Sequence, residues 1–145
     1  MTTSQATELR LETSRTINAS REKVFDAWLD PSKLAKFMTP GPDMSVPEAS
    51  TDPRVGGRFR VVMRAGDRDL PHEGTYKIIE RPNRLEFTWE SPMSPIEGST
   101  VTIDFAEADG GTRVTLRHVR FPSEESRDNH NSGWARILEA LEAVF

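Results

Sequence analysis

The chain has 145 residues, with 19 Lys and Arg against 23 Asp and Glu, a formal charge of −4 and no cysteine. The length fits one domain by the usual ~100–200 residues, and the acidic balance excludes a generic polyanion binder, which needs a strongly basic surface. The absence of cysteine excludes disulfides, thiolate zinc sites and cysteine nucleophiles together.

No stretch approaches the ~18 apolar residues of a membrane span, and Met1 to Glu8 has no basic-then-apolar leader pattern. The expectation is a cytoplasmic protein in which residues 1–8 form a flexible tail and residues 9–145 a single domain. Leu9, Leu11, Thr13, Arg15 and Ile17 share one parity, which predicts a first strand. Ser20 is a good helix N-cap, and Val24, Phe25, Trp28 and Leu29 follow at three-to-four spacing. Asp30-Pro31 ends that helix and opens a second short one, with Leu34, Phe37 and Met38 on its apolar face. Val46 and its neighbours form a candidate short strand.

From Arg58 to Val119 the alternation predicts a meander of five strands. Phe59, Val61 and Met63 alternate with arginines, though Val62 breaks the pattern. Tyr76 and Ile78, then Leu85, Phe87 and Trp89, then Val101, Ile103 and Phe105, then Val114, Leu116 and His118 continue it. Ala65-Gly66-Asp67, Arg81-Pro82-Asn83 and Ala108-Asp109-Gly110-Gly111 are turn sequences between them. Pro122-Ser123 opens a final helix whose stripe is Trp134, Ile137, Leu138, Leu141 and Phe145. Asn131-Ser132-Gly133 is expected to kink or break its first part, because glycine and serine weaken helix interiors.

A period of two over so many segments means strands with one covered face, hence an antiparallel sheet and an α+β fold. Residues 123–145 as one helix would span ~34 Å, at ~1.5 Å per residue. Six strands at ~4.8 Å spacing make a sheet ~29 Å wide. One helix can therefore cover the sheet, and the mismatch between a straight rod and a bent sheet tends to leave a cleft.

The order of elements, together with particular words, resembles the START-like (SRPBCC, helix-grip) superfamily. Within it the similarity is to the domain of the activator of the heat-shock chaperone ATPase and its bacterial homologues. The carrying residues are Ser20 with Val24 to Pro31, Gly56-Gly57-Arg58-Phe59, Gly74-Thr75-Tyr76, Arg81 to Trp89, Gly111-Thr112-Arg113-Val114, His130, Gly133-Trp134, Leu138 and Leu141. The resemblance covers residues 9–145 and implies a curved antiparallel sheet of six to seven strands wrapped around a long C-terminal helix, with two short helices after the first strand. Such domains often carry a tryptophan where this chain has Phe37. The superfamily hosts carriers, cyclases and chaperone regulators, so the resemblance implies a fold ahead of a function.

The aromatic residues Phe37, Phe59, Tyr76, Phe87, Trp89 and Trp134 are expected to face the gap between sheet and helix, either filling it or lining a ligand cavity. Trp28, Met63, His118, His130 and Leu138 complete the candidate cavity set. His118 lies on the covered parity, where a buried core histidine and a ligand-orienting one are both consistent. His72, beside Pro71, is expected to face solvent. The three histidines lack metal-ligand spacing, Gly56-Gly57 lacks the rest of a phosphate loop, and neither Ser123 nor Ser132 sits in a nucleophile elbow. No metal or other cofactor is implied. The leading expectation is binding of a small apolar or aromatic molecule in that cavity. The alternatives are a cyclase- or dehydratase-like enzyme using the same cavity, and a chaperone-regulating or other protein-interaction module. No nucleic-acid partner or membrane span is expected, and monomer or dimer stays open.

Overall fold

The structure is a computed structural model and describes residues 8–92 and 96–145. The expected tail falls, up to residue 7, outside the described residues. Among the described residues ten elements follow in chain order: β1 (Arg10–Ile17), α1 (Arg21–Ala27), α2 (Pro31–Phe37), β2 (Met44–Thr51), β3 (Arg58–Ala65), β4 (Arg68–Glu80), β5 (Arg84–Thr88), β6 (Thr100–Ala108), β7 (Gly111–Val119) and α3 (Glu124–Val144). The strands form one antiparallel, curled sheet in the order β1-β7-β6-β5-β4-β3-β2, a helix-grip architecture. The candidate strand around Val46 is β2, at one edge of that sheet.

Local chemistry explains most boundaries. Ser20 caps α1 by accepting from the Lys23 N–H, and Asp30 caps α2 by accepting from the Ser32 N–H. Ser123 does the same for α3 through the Ser126 N–H, with Glu124 and Glu125 in the first turn where the helix dipole favours negative charge. Between β6 and β7 the two-residue loop Asp109-Gly110 has φ of 48° and 79°. Two successive positive φ values match the twist of the flanking strands, and glycine takes one of them at no steric cost.

The helices cover one face of the sheet. Leu11, Ile17, Phe59, Val61, Met63, Leu85, Ile103, Phe105, Val114 and Leu116 meet Val24, Phe25, Leu34, Phe37, Trp134, Ile137, Leu138 and Leu141 in one core. The opposite face is laced by ion pairs. Glu12, Arg117, Asp104 and Arg84 run across β1, β7, β6 and β5, and Glu48, Arg60, Glu73, Arg58 and Glu90 across the other half. These side chains are mostly half-exposed, so each pair contributes little alone.

Three local expectations are corrected. α3 is continuous through Asn131-Ser132-Gly133. Gly133 is where the helix comes closest to the loop after α2: a Cβ there would lie 3.2 Å from Pro40 Cβ. Along β4 the register shifts between Tyr76 and Ile78. That irregularity makes Ile79, rather than Ile78, the residue that packs against the core. His72 is buried, at 6% exposure, on the same parity as Leu70, Gly74 and Tyr76.

Candidate functional site

The curled sheet and α3 do not close on each other at one end. There a cavity of about 190 Å³ is lined by Pro40 and Met44 from the α2–β2 side, Met63 of β3, Leu70 and His72 of β4, and Trp89 just beyond β5. α3 supplies Ser126, Asn129, His130, Gly133, Trp134 and Ile137. Gly133 lets the helix approach Pro40 and sets the width of that end. At the other end, between Trp28, Leu34, Met38, Phe59, Val61, Tyr76 and Phe87, only about 10 Å³ remains. The aromatic residues there pack edge-on: Trp28 on Phe37 with ring centres 5.0 Å apart, and Phe59 on Phe87 at 5.1 Å.

The sequence-derived set is therefore divided by the structure. Met63, Trp89, His130 and Trp134 line the open cavity. Trp28, Phe59, Tyr76 and Phe87 surround the nearly filled end, while Phe37, His118 and Leu138 are fully buried between or behind them. Sequence reading missed His72, Leu70 and Ile137 as wall residues. The signal for the first two was present, since positions 70, 72, 74 and 76 share one parity. Ile137 lies in the helix stripe one turn beyond Trp134.

Around the cavity the three histidines converge on two indoles. His72 stacks on Trp89 with ring centres 4.9 Å apart, Trp89 meets Trp134 at 4.9 Å, and His118 meets His130 edge-on at 5.3 Å. Behind the wall, the Trp134 Nε1–H donates to His118 Nδ1 at 3.0 Å, and His118 Nε2 lies 2.6 Å from Ser99 Oγ. Because Nδ1 accepts, the proton of the neutral ring sits on Nε2 and is donated to Ser99. Burial, with nearby His130 as the lesser cause, holds the His118 pKa far below the ordinary imidazole range. This is the reverse of a serine-activating arrangement, in which the histidine lone pair would face the hydroxyl. Ser99 is itself buried.

His72 is depressed to about 4, first by burial and then by His130; the backbone carbonyls of Leu70 and Val61 offset part of that shift. Among the described residues, the Trp89 Nε1 and, despite the nearby Leu70 and Val61 carbonyls, the His72 Nδ1 are buried without a well-formed hydrogen bond. Buried polar groups are rarely left so, and each costs ~1–3 kcal/mol. His130 donates its Nδ1–H to the Ser126 carbonyl at 2.8 Å, and burial lowers its pKa. Among the described residues, no group of His, Cys, Asp and Glu is placed to hold a metal ion, and no helix is long and apolar enough to cross a membrane.

The family model for Activator of Hsp90 ATPase homolog 1-like protein matches residues 18–145. The chain belongs to that family. Solved structures with the same fold include a protein from Chromobacterium violaceum, 23% identical with a TM-score of 0.82, covering 93% of this chain and 95% of that one. An AHSA1-like protein from Aeromonas hydrophila is 27% identical with a TM-score of 0.78, covering 93% and 90%. A protein from Mycobacterium smegmatis is 21% identical with a TM-score of 0.78, covering 94% and 90%. No curated protein matches the chain. Membership of the Activator of Hsp90 ATPase homolog 1-like family bears out the START-like resemblance carried by the sequence words. It adds no residue assignments to the cavity.

Proposed function

We propose that this protein binds a small apolar or aromatic molecule in the cavity between Trp89, Trp134 and Met63. Proteins of its family often bind hydrophobic ligands. The observation that carries the reading is an opening of about 190 Å³ held against two indoles, while the neighbouring interior is filled to about 10 Å³. A cavity of ~150 Å³ with apolar walls holds benzene, so this one matches a single ring with one or two substituents. Binding is favoured over turnover by the chemistry of the wall. Among the described residues the cavity lining includes no carboxylate to orient a histidine base, and the His118 lone pair is committed to Trp134, which leaves the unassisted imidazole of His130.

The test is a thermal-shift and tryptophan-fluorescence titration with single-ring compounds, repeated on Ile137→Phe, whose added ring would occupy the opening. A compound at ten times its Kd stabilises by ~1.4 kcal/mol, a rise of about 3–6 °C in Tm for a chain of this size. The expected result is a saturable response in the native protein that weakens at least tenfold in Ile137→Phe. No response at millimolar ligand, or equal response in both proteins, overturns the proposal.

A further inference from the structure

Size alone does not choose among single-ring ligands, but the polar edge of the cavity does. Among the described residues, those lining the cavity include neither lysine nor arginine, and neither aspartate nor glutamate. A bound carboxylate or ammonium would lose its hydration there without gaining a counter-charge, which disfavours ions of either sign. These walls therefore favour a neutral ligand. The wall also contains nitrogens that a ligand does not meet. The Trp134 Nε1–H is already given to His118. Trp89 Nε1 and His72 Nδ1 are occluded from solvent. Asn129 is exposed at the rim, where water competes for its amide.

His130 differs from all of these. It sits one turn before Trp134 on the same helix and lines the cavity. Its Nδ1–H is held by the Ser126 carbonyl of the preceding turn. Its Nε2 makes no hydrogen bond among the described residues, yet it is not one of the occluded unpartnered atoms. A neutral imidazole whose Nδ1 carries the proton presents a lone pair at Nε2. Burial keeps the ring neutral at pH 7. The Ser126 contact fixes the ring against α3, so the acceptor is pre-oriented before any ligand arrives.

We infer that the cavity selects a neutral single-ring molecule bearing a hydroxyl or N–H donor, which it reads through the lone pair of His130 Nε2. This rests on the ligand-binding reading above and names its ligand class. Phenol is the simplest such molecule. Toluene has nearly the same shape without the donor, and benzoate carries the excluded charge.

The experiment titrates the full chain with phenol, toluene and benzoate, in the native protein and in His130→Phe. Tryptophan fluorescence reads affinity, and the ¹⁵N resonance of His130 Nε2 is followed in histidine-labelled native protein. The expected result is a phenol-to-toluene affinity ratio about tenfold higher in the native protein than in His130→Phe, as for one hydrogen bond. Phenol, and not toluene, should shift the Nε2 resonance toward the protonated value. If both rings bind but the ratio is unchanged and the resonance does not move, the donor requirement is wrong and the cavity reading survives. If benzoate binds more tightly than phenol, the neutral-ligand inference is overturned. If none of the three binds, the cavity reading itself fails. Should His130→Phe not fold, the native-protein resonance decides alone.

Discussion

Acid should destabilise this protein well before its carboxylates titrate, and the histidines set the size of the effect. His72 and His118 are buried, with exposures of 6% and 0%, and both are held neutral. Their folded-state pKa values are depressed, that of His72 to about 4, against 6.5 for an unhindered imidazole. Above pH 6.5 neither state binds these protons and the stability is fully present. As the pH falls below 6.5 the unfolded chain takes up protons that the folded chain refuses, so stability is lost. For His72 the loss continues until the folded ring titrates near 4. Integrated from pH 8 to pH 5, each of the two rings withdraws about 2 kcal/mol. The sum of about 4 kcal/mol is a large part of the ~5–15 kcal/mol that holds an ordinary domain together. It corresponds to a fall in Tm of about 8–16 °C. His130, also depressed by burial, adds in the same direction. Carboxylates whose pKa values are lowered by hydrogen bonds or ion pairs, such as Asp30, Asp69, Glu90 and Asp104, contribute only at lower pH. The assay is urea or thermal unfolding at half-unit intervals from pH 8 to pH 4.5, on the native chain and on His72→Phe. The variant should lose about half of the two-ring effect. A Tm that stays constant from pH 8 to pH 5, or a variant with an unchanged slope, would show that these rings are not held neutral by burial.

Two further substitutions probe the wall and the sheet. Ser99→Ala removes the acceptor for the His118 Nε2–H and leaves a buried donor unpaired, at a cost of ~1–3 kcal/mol in urea unfolding. A loss below about 0.5 kcal/mol would show that the His118–Ser99 hydrogen bond is not formed as described. Gly74→Ala places a Cβ 1.9 Å from the Thr88 carbonyl oxygen and 2.5 Å from Phe59 Cε2. Backbone and ring must both move, so the cost lies at or above the top of the usual ~1–3 kcal/mol for overpacking. Stability within 1 kcal/mol of the native protein would show that β4 and the Thr88 strand are not this close.

Much of the candidate site was already legible as types of residue on the right parity. Met63, Trp89, His130 and Trp134 follow from alternation in the strands and from three-to-four spacing in the helix. His72 shared the parity of Leu70 and Tyr76, but the neighbouring proline drew it toward a solvent-facing reading. His118 was placed on the covered face, and its partners could not be named, since Ser99 and Trp134 lie 19 and 16 residues away. Hydrogen bonds of that kind depend on register and on helix placement, which local pattern does not encode.

Local sequence dictates which face of each strand is covered, where the helices begin, and how β6 turns into β7. These depend on side-chain period, capping groups and positive φ at Asp109-Gly110, all interactions within a few residues. Where the interior is filled and where it stays open is settled by long-range packing. That outcome depends on how far the sheet curls and on the volumes that remote segments bring together. Phe59, Tyr76 and Phe87 meet Trp28 and Leu34 tightly, whereas Met63, Leu70 and His72 face an opening that α3 covers only through the contact of Trp134 on Trp89.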